Sequence, residues 1–173
     1  GAALTLTAPG IPMLFMGQEF LEDGHFDDGD PLDWNKSDWF GGILQAHRDL
    51  IRLRRNWHDT SAGLRGEGVN VFHLNHDDKV LAFHRWQHGG AGDDVVVIVN
   101  LGHRTFSGYE LGLPSDGLWR VRFNSDWQGY SPDFGGTHVH DFWSTWGGRD
   151  GMPARGAVSL GAYSAVILSR DRW

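Results

Sequence analysis

The chain has 173 residues, with 15 basic and 22 acidic side chains and a formal net charge of −7. That balance argues against a nucleic-acid or anionic-membrane partner, and no run approaches the roughly 18 apolar residues of a membrane helix. The absence of cysteine excludes disulfides and thiolate metal sites and fits a reducing cytoplasm, which is the expected location.

Gly1 to Ala8 suffices for the tail of one helix. Next comes Pro9-Gly10-Ile11-Pro12-Met13-Leu14-Phe15-Met16-Gly17-Gln18-Glu19-Phe20. Ile11 to Met16 is apolar except for Pro12 and lacks the alternation of a half-exposed strand, so the pattern predicts a parallel strand covered on both faces. Glu19 follows where such a strand hands over to a loop. An acidic, glycine-rich loop, Leu21 to Asp30, leads to Pro31-Leu32-Asp33-Trp34. Ile43, Ala46, Leu50, Leu53 and Trp57 then recur at three- and four-residue spacing, which predicts a helix from about Gly42. Arg52, Arg54 and Arg55 sit in its last turns, where cations favour the carbonyl end of the helix dipole. Strand, long loop and helix make one βα unit.

After Trp57 the period changes to two. Short strands are predicted at 69–74, 79–86, 94–100, 105–109, 118–124, 157–160 and 163–168. Asn75-His76-Asp77-Asp78 reads as a hairpin connection and Gly89-Gly90-Ala91-Gly92-Asp93 as a second loop. Short strands with Gly- and Asp-rich turns predict an antiparallel β-sandwich and a mostly β fold class. Trp119 alternates with Val121 and Phe123, and Trp86 follows Val80 and Ala82 by twos; both are core patterns.

Several of these segments resemble the α-amylase superfamily, glycoside hydrolase family 13. Pro9 to Phe20 looks like that superfamily's eighth barrel strand. Pro31-Leu32-Asp33-Trp34 is similar to the Leu-Asp-Trp signature that follows it in branching-type members. Asn124-Ser125-Asp126, followed by Gly135-Gly136, resembles their C-terminal β-domain. The resemblance spans the whole chain and is closest to the glucan-branching group and its trehalohydrolase relatives; the acidic loop 21–30 departs from it. It implies that residues 1–57 are the last strand and helix of a truncated (β/α)8 TIM barrel and that residues 58–173 are a C-terminal all-β sandwich domain. The chain is thus expected to be the C-terminal piece of a larger enzyme, with a catalytic barrel upstream as its partner in cis. The implied parent is a retaining enzyme of glycogen biosynthesis that cuts an α-1,4 bond and rejoins the chain as an α-1,6 branch, through a covalent glycosyl-enzyme and without an organic cofactor. The substrate would be an α-glucan such as glycogen or starch. An α-amylase-type or trehalohydrolase-type parent, an independent carbohydrate-binding module and a purely structural domain are the alternatives.

No catalytic residue is expected within this chain. Retaining glycosidases need two carboxyl groups roughly 5–5.5 Å apart, a whole barrel takes about 250 residues, and the resemblance puts the catalytic carboxylates on upstream strands. Glu19 lacks a partner for acid/base work; it is expected to hydrogen-bond loops at the barrel mouth, with contact to sugar hydroxyls as the alternative. Asp33 and Trp34, in the signature, are candidate substrate contacts, and Trp39 poses the same choice between stacking on sugar and packing. The stretch Glu22 to Asp30 offers oxygen ligands but fails the EF-hand spacing, so a solvated loop is expected instead of a calcium site. His138-Val139-His140-Asp141 places two imidazoles on one strand face, without the third ligand zinc needs; no metal is expected. Trp127, Tyr130, Trp143 and Trp146 are the candidate glucan contacts of the β-domain, with packing under long loops as the favoured role. Residues 4–20, with an unpaired apolar edge, are expected to be buried against the 42–57 helix or a second copy of the chain.

Overall fold

The structure is a computed structural model describing residues 1–25, 27 and 29–172. Three helices precede the strands: α1 (Ala2–Thr7), α2 (Lys36–Trp39) and α3 (Gly41–Arg54). Eight strands follow: β1 (Gly68–Asn75), β2 (Val80–Trp86), β3 (Val95–Asn100), β4 (Phe106–Leu113), β5 (Gly117–Asn124), β6 (Phe142–Arg149), β7 (Met152–Leu160) and β8 (Ala165–Ser169). All pairings are antiparallel, in the order β1-β2-β3-β8-β5-β6-β7-β4. The first five strands in that order form one layer and the last three the other. The layers are joined where β5 pairs with β6 from Gly117↔Ser144 to Trp119↔Phe142.

Strand β3 shows why the layers stack as they do. Val95-Val96-Val97-Ile98-Val99-Asn100 is buried throughout, because side chains alternate between two faces and both are covered. Val95, Val97 and Val99 pack with Ala3 and Leu6 of α1 and Leu50 and Leu53 of α3. Val96 and Ile98 face the second sheet, and with Trp119 of β5 and Leu111, Leu113 and Leu160 of that sheet they make a separate core. The molecule is therefore helix on sheet on sheet. Gly42, at the start of α3, approaches the sheet domain so closely that a Cβ would lie 2.1 Å from the Tyr130 carbonyl oxygen.

The apolar run 11–16 forms no strand. Gly10 turns the chain at φ +100, and Ile11 is 98% exposed, with Met13, Phe15 and Met16 also on the surface. A strand exists only through ladder neighbours, and among the described residues no strand pairs with this segment. The expected burial of residues 4–20 on the long helix holds only at the ends of that range: Leu6, Thr7 and Phe20 are buried, while the middle is not. The helix ends at Arg54, so Trp57 leaves the apolar stripe and lies exposed beneath the Arg55 guanidinium. The sandwich has one strand more than predicted, since β6 and the first half of β7 arise in a segment rich in Gly and Trp without clean alternation. A register shift between Val121 and Phe123 also moves Phe123 away from Trp119, from the inter-sheet core to the helix-facing one.

Arg85 on β2 is 0% exposed, and its partners are main-chain carbonyls. Nε donates to Gly68 (3.0 Å), Nη2 to Gly66 (2.7 Å) and Leu64 (3.5 Å), and Nη1 to Thr7 at the end of α1. Burial, and secondarily the nearby Arg54 charge, lowers its pKa. Arg54 itself donates to Ala8 O at 2.7 Å and to Gly10 O. The two guanidiniums thus satisfy the last carbonyls of α1, which has no continuing helix to do so. Arg85→Met should cost about 3 kcal/mol of unfolding free energy in urea titrations, because several buried acceptors lose a charged donor together. Arg85→Lys, with a point charge in place of the fork, should recover only part of that loss.

Candidate functional site

Two clusters collect the candidate residues. The first is the loop between Gly17 and α2. Gly17 has φ +79 and lies where a Cβ would be 2.5 Å from the Glu22 Cβ, so the turn needs a glycine. Glu22 is the hub: its carboxylate accepts N–H groups from Gly24 (3.0 Å) and Asp33 (2.8 Å) and pairs with Lys36 Nζ at 2.7 Å. Lys36 also bonds Asp23. The Lys36 bond first, then the Gly24 and Asp33 N–H groups, holds the Glu22 pKa down to about 2. The bonds to Asp23 and Glu22 raise that of Lys36. Asp33 accepts the Asn35 backbone N–H (3.1 Å) and side-chain amide (2.8 Å), a turn that starts α2. Trp34 rests against Phe20, ring centroids 5.3 Å apart, and stays exposed. Trp39 is exposed as well. Glu19 lies half-buried in the 3-10 turn Gln18–Phe20. Of the acidic run, Phe26 and Asp28 lie outside the described residues.

The second cluster stands on the end of β5. Asn124-Ser125-Asp126 is a hydrogen-bonding hub for the loop beyond it. Asp126, buried, accepts Gly135 N–H at 2.7 Å and Thr137 N–H at 2.9 Å, while Asn124 donates its amide to Thr137 O at 2.9 Å. Ser125 Oγ accepts Ala165 N–H at 2.7 Å and ties the turn to β8. A Cβ on Gly135 would come within 2.9 Å of the Asp126 carboxylate, which gives the Asn-Ser-Asp and Gly-Gly pair a common structural reason. Further on, Asp141 accepts Val121 N–H and the Arg120 guanidinium, both at 2.8 Å. Burial would raise the Asp141 pKa, but those two bonds outweigh it and lower it. Thr137 to Asp141 is therefore held at both ends alongside β5.

Between this segment and the turn 127–130 lies a cleft of about 500 Å³, bordered by Arg122, Asn124, Trp127, Gln128, His138 and His140. Trp127 is 55% exposed. Tyr130 is not a surface platform: it is buried, stacks on Phe123, and its hydroxyl donates to Asp49 of α3 at 2.9 Å. Burial first, then that bond, raises its pKa. Trp143 and Trp146 on β6 are both exposed, Trp143 at 72%, and neither borders the cleft. Packing under loops thus describes Tyr130 but not the three tryptophans. His138 and His140 present nearly parallel rings, 4° between planes and 6.2 Å between centroids. Among the described residues no group of three or more His, Cys, Asp or Glu side chains could hold a metal ion. Sequence reasoning had no signal for Gln128 or Arg122, because nothing in spacing alone brings 122, 128 and 138–140 together.

A third polar network joins the open edges of the two sheets. His73 on β1 contacts Asp150 through Nδ1 (3.0 Å) and the Tyr109 hydroxyl through Nε2 (2.8 Å), and Asn75 donates to the same hydroxyl at 3.0 Å. It locks β1 to β4. Among the described residues no helix is long and apolar enough to cross a membrane.

Residues 72–171 match the family described as alpha amylase, C-terminal all-beta domain. A 1,4-alpha-glucan branching enzyme of Nocardia farcinica is 33% identical over 178 aligned residues, covering 95% of this chain and 22% of its own length. One from Rhodospirillum rubrum is 35% identical over 140 residues, covering 77% and 18%. The chain thus spans about a fifth of the length of the curated relatives it matches. Among solved structures, an alpha-amylase from H. orenii superposes with TM-score 0.62 at 17% identity, covering 98% of this chain and 34% of that one. A debranching enzyme from Nostoc punctiforme gives 0.61 at 19%, covering 97% and 30%.

The Glu22 hub has a testable pH signature. Its pKa is depressed from an ordinary 4.5 to about 2, so the order it confers is complete above pH 4.5 and is lost as pH falls through about 2. Amide exchange should show protection at Gly24 and Asp33 fading across that window. In Glu22→Gln the protection should be weak at every pH.

Proposed function

Since this chain belongs to the family of the α-amylase C-terminal all-β domain, we propose that it is the closing segment of a 1,4-α-glucan branching enzyme, which cuts an α-1,4 linkage and re-forms the chain as an α-1,6 branch. The observation that carries this reading is that the likeness to branching enzymes runs through the helical residues as well as the sandwich. Residues 1–57 are the last βα portion of the parent's barrel and residues 58–173 its C-terminal domain. The exposed run Ile11 to Met16 is the strand the barrel lacks. Beside two barrel neighbours it would gain ladder partners and a cover for its apolar side chains. The α1 and α3 helices then carry the barrel's last wall on one face and the sandwich on the other.

Within this division the chemistry belongs to the upstream barrel. A retaining transfer needs a nucleophile and an acid/base carboxyl on facing strand ends, and this chain contributes one such strand end, with Glu19 and the Glu22-organised loop beside it. Its contribution is to close the barrel and shape the mouth through Asp33 and Trp34. An α-amylase-type parent is the second reading, favoured by the shared fold of the H. orenii enzyme.

Replacing the matching segment of the Nocardia farcinica enzyme with this chain tests the reading. The folded chimera should still convert amylose to α-1,6-branched product. A folded chimera that only releases reducing ends would overturn the branching assignment. The 173-residue chain alone should give neither product, and turnover by it would overturn the placement of the catalytic carboxylates upstream.

A further inference from the structure

The turn after the exposed run has a backbone shape that it would not keep by itself. Gly17 has φ +79 and Leu21 has φ +58, and a leucine in the left-handed region is strained. The two bends bring Glu22 back beside Gly17, whose carbonyl accepts the Glu22 N–H at 3.0 Å. The strain persists because the Glu22 side chain fixes everything around it. Oε1 accepts the N–H groups of Asp23 and Gly24, both at 3.0 Å, and a bond from Lys36 Nζ at 2.7 Å, while Oε2 accepts the Asp33 N–H at 2.8 Å. One carboxylate thus clasps residues 11 and 14 positions further along the chain. The Lys36 and Glu22 side chains are 15% and 11% exposed, so water competes little for these bonds. The Asp33-Trp34 corner is fixed as a result: Asp33 hangs from Glu22 by its N–H, and the Trp34 indole rests on the buried Phe20.

The clasp and its corner belong to neither apolar core. Phe15, Met16, Glu22 and Leu32 border one small hollow, which places the clasp at the far end of the run Ile11 to Met16. A charge-clasped, solvent-facing corner at a strand end shapes a site more than it holds a fold. In the barrel described above, that strand end opens on the active site. A glycosyl-enzyme there has two fates. The bond from C1 to the nucleophile carboxylate is broken either by O6 of an acceptor sugar or by the oxygen of water, and in both cases the attacking O–H gives its proton to the acid/base carboxylate. The outcome depends on how firmly the mouth holds a sugar hydroxyl in line and how well it keeps water out.

On the branching-enzyme reading, on which this rests, we propose that Glu22 and Lys36 are positioning residues for transfer over hydrolysis: by clamping the Asp33-Trp34 corner at the barrel mouth, they favour a sugar hydroxyl over water in the second half of the reaction. Both side chains act through Asp33 and Trp34 and not on the reacting atoms.

The chimera that carries this chain on the Nocardia farcinica barrel measures the partition directly. Transfer leaves an α-1,6 branch, hydrolysis leaves a new reducing end, and their sum counts the α-1,4 bonds cut. Glu22→Gln and Lys36→Met should each raise reducing ends per branch about tenfold, with the sum and the melting temperature nearly unchanged. Lys36→Arg, which keeps a cation beside both carboxylates, should restore the ratio. The double exchange Glu22→Lys/Lys36→Glu keeps an ion pair but removes the acceptor of the Asp33 N–H, and it should not restore the ratio. A folded, branching chimera whose ratio is unmoved by both Glu22→Gln and Lys36→Met would overturn this proposal alone. So would variants that lower branches and reducing ends in equal proportion, the signature of a merely structural role. An unsubstituted folded chimera that cuts amylose without branching it would overturn the branching reading and this proposal together, so the two failures are told apart by the unsubstituted protein.

Discussion

The Arg85 guanidinium is the point at which the helical and β parts become one structure. It is buried, and carbonyls from the end of α1, the 3-10 turn Ala62–Arg65 and its exit, and the start of β1 surround it. A charge in such a place needs several well-aimed acceptors at once, since each unmade bond would leave the desolvation penalty unrelieved. That requirement ties the position of α1 to the position of β2. Arg54 repeats the device one layer out, on Ala8 and Gly10. Helical propensity has little part here: α1 has six residues, too few to be stable alone, and its end is capped by side chains remote in sequence.

Around that anchor, the central layer has to satisfy two cores. β3 and β8 are buried on both faces, so each residue in them is constrained by a helix on one side or a sheet on the other. Shifting either strand by one residue would exchange the two sets of side chains. The bulge at Val121 and Phe123 resolves the conflict at β5: Trp119 fills the inter-sheet core, and Phe123 turns to meet Tyr130 and the helix face. The same bend carries the chain into the Asn124-Ser125-Asp126 hub and hence into the cleft. The site's geometry is thus a consequence of how β5 passes from one core to the other.

Both loop clusters use one physical device. A buried or half-buried carboxylate accepts backbone N–H groups from residues far along the chain: Glu22 from Asp33, and Asp126 from Gly135 and Thr137. Asp93 does so over a shorter span, for the nearby Gln87, His88 and Gly89. Loops of this length have few apolar contacts to order them, and charge-assisted bonds to N–H groups supply the order instead. At the Glu22 and Asp126 hubs a glycine lies where a larger residue would press on the carboxylate-bearing side chain, Gly17 at the first and Gly135 at the second.

What could be read from the chain were features set by local period and turn chemistry. The helix through Leu50 and Leu53, the hairpin at Asn75 to Asp78 and most of the strands follow from spacing, because side-chain direction repeats with the backbone. The glycines and the Asn-Ser-Asp hub were legible as motifs, though not for what they bond. What depended on neighbours was not legible. Ile11 to Met16 has the pattern of a covered strand yet is exposed coil, whereas Val95 to Val99 has the same pattern and is covered, by α1 and α3 on one side and the second sheet on the other. Tyr130 and Trp127 are three residues apart and equally aromatic. One is a buried strut to Asp49 and the other an exposed platform, because only one of them meets α3. The sequence by itself determined the periods, the turns and the stock of aromatic and hydrogen-bonding groups. The tertiary structure alone decided which faces were covered and which groups converged, since burial and convergence are properties of surfaces brought together across the chain and leave no signature in local spacing.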